Sequence, residues 1–84
     1  MKEILRQKLD DAFHPLHLEV IDQSVAHQGH KEAGSAGNSH FKIILISKAF
    51  EGKSPLERHR MVYECLAEEI RQIHAVQLDL RAVL

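Results

Sequence analysis

The chain has 84 residues, 44% of them hydrophobic and 27% charged, and a formal net charge of −1. That is one domain, residues 1–84, near the small end of what folds alone, and the balance is wrong for a disordered chain. No apolar run approaches the roughly 20 residues of a membrane span, and there is no overall excess of Lys and Arg from which a general nucleic-acid binder draws its affinity.

Residues 2–13 read as a helix. Leu5, Leu9 and Ala12 recur at helical spacing with Ile4 and Phe13 beside them, and Pro15 ends the run. This N-terminal stretch is charged and carries acids, unlike a signal or transit peptide, so a cytoplasmic protein is expected. Residues 16–23 alternate as a strand, with Leu16, Leu18 and Val20 on one side. Residues 25–39 form a loop that holds three of the four glycines and two histidines, His27 and His30. A loop of this length in so small a domain is expected to be functional or disordered.

Residues 40–47 make the strongest strand, because Phe41, Ile43, Ile44, Leu45 and Ile46 are aromatic or mostly β-branched. Residues 48–53 connect, with room for one helical turn. Ser54, Pro55 and Glu57 then form a capping box with proline at the first helical position. The helix is expected to run to about residue 72, with His59, Val62, Leu66, Ile70 and Ile73 on one stripe. Residues 74–80 close the chain as a strand, with His74, Val76, Leu78 and Leu80 sharing one face. The helical crossover before it permits parallel pairing. The expected fold is therefore α/β (α+β): a three-stranded mixed sheet with helices packed on one face.

Cys65 is the one cysteine, so no intrachain disulfide is possible. It has no neighbour that would activate it and is expected to pack as a small hydrophobe. Nothing else resembles a nucleotide loop, a carboxylate pair or a nucleophile elbow, so no enzymatic activity is expected. Seven histidines in so short a chain are the unusual feature.

Five segments carry a resemblance. Asp22-Gln23-Ser24-Val25-Ala26-His27 resembles the D-x-S-x-x-H segment of BolA proteins. Ser39-His40-Phe41-Lys42 is similar to their S/T-H-F opening of the second strand. Ser47-Lys48-Ala49-Phe50-Glu51-Gly52-Lys53-Ser54 resembles their S-x-x-F-x-G stretch. Arg58-His59-Arg60 matches their R-H-R signature, and Ile73-His74-Ala75-Val76 their final H-A strand. The match runs in order over nearly the whole chain. It implies the α–β–β–α–α–β order of a class II KH-like fold. It also implies a heterodimer with a monothiol, CGFS-type glutaredoxin that shares a 2Fe–2S cluster. The glutaredoxin cysteine and glutathione would supply two ligands. This chain would supply His74 and a loop residue, either His27 or His30, with His27 preferred because its spacing from Ser24 fits the family segment. No cofactor is expected in the isolated chain, which would be a monomer or weak homodimer. The role implied is cluster assembly, transfer or iron sensing.

Some members of that family are linked to transcriptional control. The alternative reading is a DNA-binding regulator in which residues 48–72 act as a helix-turn-helix-like unit. A local basic patch motivates it, and the net charge of −1 weakens it. Lys48, Lys53, Arg58 and Arg60 gather near the helix start and suit a partner surface or a nucleic acid. Glu51-Gly52-Lys53-Ser54 is not the GXXG loop of KH domains, which ranks partner docking above nucleic-acid contact. His40 and His59 are expected to be structural, and His14 and His17 to lie on the surface.

Overall fold

The structure is a computed structural model that describes residues 1–23 and 40–83. Helix α1 spans Lys2–Phe13, strand β1 His17–Asp22 and strand β2 His40–Ile46. A 3₁₀ turn follows at Lys48–Phe50, then helices α2 (Pro55–Cys65) and α3 (Ala67–Ile70) and strand β3 (Ala75–Arg81). Strand order is β1-β2-β3, with β1 antiparallel and β3 parallel to the central β2. This is the expected mixed sheet. Among the described residues no helix is long and apolar enough to cross a membrane.

Alternation in β2 decides the layering. Phe41, Ile43 and Leu45 are buried, while Lys42, Ile44 and Ile46 are half-buried. The buried set joins Leu5, Leu9 and Phe13 of α1, Val20 of β1, Phe50, Val62, Leu66 and Ile73 in one core. Phe13 and Phe50 meet with ring centroids 5.2 Å apart, within the range of favourable aromatic contact.

Helix α1 ends where His14 adopts a left-handed conformation (φ 46°, ψ 59°) and donates its N–H to the Asp10 carbonyl. Pro15 cannot continue the helix. At the other connection Gly52 takes φ 76°, a region open to glycine without a Cβ penalty.

Two expectations need correction. The helix expected to run to about residue 72 is broken at Leu66 (φ −107°, ψ 24°), which separates α2 from α3. His74 precedes β3 rather than opening it. The first goes with packing: at the turn the Leu66 side chain is fully buried, and α3 beyond it meets α1.

That contact is an ion pair. Lys8 Nζ lies 3.0 Å from Glu69 Oε1 and 2.9 Å from Oε2, and Glu69 is buried. The hydrogen bond from Lys8 holds the Glu69 carboxyl below the usual glutamate range, and the same bond raises Lys8. A depressed carboxyl contributes stability above its unfolded pKa, about 4.3, and loses that contribution as pH falls through the folded value. The raised lysine contributes below its unfolded value and loses its share as pH rises through the folded one. Melting temperatures are therefore expected to fall more steeply below about pH 5 in the wild type than in Glu69→Gln. Parallel curves for the two proteins would contradict this.

Candidate functional site

The end of the sheet at which β2 and β3 begin gathers the histidines of interest. His40 is the first residue of β2, and its Cα pairs with Ala75, the residue after His74. The two imidazoles lie with ring centroids 5.1 Å apart and planes tilted by 57°. His40 is half-buried and its Nδ1 is shut off from solvent, whereas His74 is exposed. The His40 carbonyl also accepts the Gln23 N–H at 2.8 Å. The chain thus leaves the described fold at Gln23 and re-enters it at His40, at the corner where His74 stands. His27 and His30 lie outside the described residues.

Among the described residues, no group of three or more His, Cys, Asp or Glu could hold a metal ion by itself. Nor does a hydrogen bond or ion pair engage the His74 ring there. An exposed imidazole suits iron as a ligand. Among the described residues His74 offers a single exposed imidazole donor at this corner.

The basic residues separate into two kinds. Arg58 donates Nε to the Lys53 carbonyl at 2.9 Å and a terminal nitrogen to the Leu80 carbonyl at 3.3 Å. Its guanidinium therefore ties the start of α2 to strand β3. Lys48, Lys53 and Arg60 are exposed. Lys53 and Arg60 line one shallow depression with Met61, but Glu57 and Glu64 line it too, so its charge is mixed.

The start of α2 is also closed to an anion. Ser54 Oγ accepts the Glu57 N–H at 3.1 Å, and the Glu57 carboxylate accepts the Ser54 N–H at 2.8 Å. That bond from Ser54 keeps the Glu57 carboxyl below its usual range. A carboxylate already takes the favourable place at this helix N-terminus.

His59 departs from the expected stripe position. It is exposed, as are most residues of the first turns of α2, yet its ring Nδ1 meets the Pro55 carbonyl at 2.9 Å. His14 and His17 are on the surface as expected, with His17 2.7 Å from Glu19. Cys65 is half-buried with Sγ 3.7 Å from the Lys8 carbonyl, and burial pushes its thiol up, away from reactivity. The residue that sequence reasoning undervalued is His40. Its position at a strand start was visible, but its closeness to a histidine 34 positions later depends on parallel pairing.

Residues 9–83 match the family described as BolA-like protein. The chain is 46% identical over 79 residues to the DNA-binding transcriptional regulator BolA of Escherichia coli (strain K12), covering 93% of this chain and 71% of that one. It is 39% identical over 79 residues to SufE-like protein 1, chloroplastic/mitochondrial, of Arabidopsis thaliana, covering 88% of this chain but 21% of that much longer protein. Among solved structures it is similar to BolA1 from Arabidopsis thaliana, with TM-score 0.87, 32% identity, and 98% and 90% of the two chains covered. The BolA domain of SufE1 from the same plant gives TM-score 0.82, 35% identity, and 96% and 90% coverage.

Proposed function

The chain belongs to the BolA-like protein family, and on that premise we propose that it is a binding partner of a monothiol glutaredoxin, with which it co-ligates a 2Fe–2S cluster. The observation that carries this reading is the exposed His74 ring, set beside His40 at the corner where the segment bearing His27 and His30 joins the fold. In this role His74 is one ligand and His27 the other, with His30 as the alternative loop ligand. Partner cysteine and glutathione supply the rest. Replacing thiolate with imidazole raises a cluster's reduction potential, which suits transfer or sensing. The occurrence of a similar domain within a longer SufE-like protein supports a role exerted through a partner rather than catalysis of its own.

The test is a titration of this chain into cluster-loaded monothiol glutaredoxin with glutathione, followed by visible circular dichroism. The wild type is expected to change the spectrum. An unaltered spectrum would sink the reading. Single replacements of His27 and His30 by alanine then identify the loop ligand.

The name of the Escherichia coli relative favours a second reading, DNA binding through residues 48–72. Lys48, Lys53 and Arg60 are the exposed cations there, while Arg58 is committed to backbone carbonyls. If Lys53 and Arg60 touch phosphates, replacing both by alanine is expected to flatten the plot of log affinity against log salt by about 2. Fluorescence anisotropy with duplex DNA measures this. A slope left unchanged by the double substitution would contradict that binding mode.

A further inference from the structure

We propose that His40 is a positioning residue for His74: its ring sets the direction in which the His74 imidazole faces an incoming metal group. The inference rests on the reading of His74 as a ligand and adds to it a residue that is not itself a ligand.

Metal-ligating histidines usually have the second ring nitrogen hydrogen-bonded to a carboxylate or carbonyl, which fixes the ring before the metal arrives. His74 has no such bond among the described residues. An exposed imidazole without one swings broadly about its outer torsion. What stands beside it is the His40 ring, 5.1 Å away and tilted by 57°, within the 4.5–7 Å range of favourable ring contacts.

His40 is suited to act as the fixed wall. Its backbone belongs to the central strand, paired to β1 on one side and β3 on the other. Its carbonyl holds the Gln23 N–H, and its Nδ1 is buried. The neighbouring residue Phe41 is a core anchor at 1% exposure. The moving ring is thus packed against one that the sheet holds. Ring packing here takes the place of the usual outer-shell hydrogen bond.

The prediction separates a flat ring from an imidazole nitrogen. His40→Phe keeps a flat ring and is expected to give the wild-type visible dichroism with cluster-loaded glutaredoxin. His40→Ala removes the wall and is expected to weaken the complex by about 10-fold, in line with the loss of an outer-shell partner. Its thermal melt should stay cooperative. Should His40→Ala fail to fold, His40→Leu, which fills the space without a flat ring, takes its place and is expected to behave in the same way. A second readout needs no cluster: in the free protein, the ring-proton NMR shifts of His74 are expected to move in His40→Ala or His40→Leu, and to move least in His40→Phe.

The outcomes are distinguishable. No spectral change with the wild type defeats the parent reading and this inference with it. A wild-type change that is undiminished in His40→Ala, or lost in His40→Phe, defeats the inference alone. Unmoved His74 shifts in every His40 variant would likewise overturn it.

Discussion

Replacing His74 by alanine is expected to abolish the change in visible dichroism that the wild type produces with cluster-loaded glutaredoxin. The apparent affinity should fall by at least about 100-fold, since removing a mere outer-shell partner already costs about 10–100-fold. The fold should be untouched. His74 is exposed and precedes β3, so its truncation removes no core contact, and surface substitutions of that kind usually stay within about 0.5 kcal/mol. His74→Cys supplies the discriminating control. A thiolate is a stronger, softer ligand for iron, so this variant is expected to recover complex formation with a different spectrum. A His74→Ala protein that still gives the wild-type spectrum would remove the ligand role.

The second large effect is on stability, and it falls on a serine. Ser47→Ala is expected to cost about 2–3 kcal/mol, read as a lower denaturant midpoint with an unchanged slope. For 84 residues the whole stability is about 4–13 kcal/mol, so this is a large share. Ser47 is fully buried at the end of β2. Its hydroxyl donates to the Phe13 carbonyl at 2.7 Å and accepts the Ala49 N–H at 3.0 Å. Its own N–H donates to the Arg81 carbonyl at 3.0 Å. One residue therefore joins the end of α1, the 3₁₀ turn and the end of β3. The Phe13 carbonyl lies at a helix C-terminus, where no intrahelical donor exists. Alanine would leave that buried acceptor without its donor, which is where most of the cost arises. A loss below about 0.5 kcal/mol would show that water or a local shift replaces the hydroxyl.

These two effects sit at opposite ends of the sheet. His40 and His74 stand where β2 and β3 begin, and Ser47 stands where they end. The separation has a use in experiment, since additive behaviour is expected for distant sites with no shared partner. A His74→Ala, Ser47→Ala double variant should then combine the binding defect of one with the stability defect of the other.

The amino-acid sequence by itself determined the elements with strong local causes. The period of Leu5 and Leu9 made α1, the alternation of Phe41, Ile43 and Leu45 made β2 and chose its buried face, and Ser54-Pro55-Leu56-Glu57 dictated where α2 starts. It also marked His74 as a residue of interest, through the family segment around it. Only the tertiary structure decided what depends on distant partners. The break at Leu66 comes from docking α3 on α1, with Glu69 and Lys8 61 positions apart. Arg58 looked like a free cation until strand β3 brought the Leu80 carbonyl to it. His40 looked merely structural until parallel pairing set Ala75 opposite it and the His74 ring beside it. Helical and strand periods are properties of a few consecutive residues, whereas these contacts arise from the register between strands and the seating of one helix on another, which no short window of sequence contains.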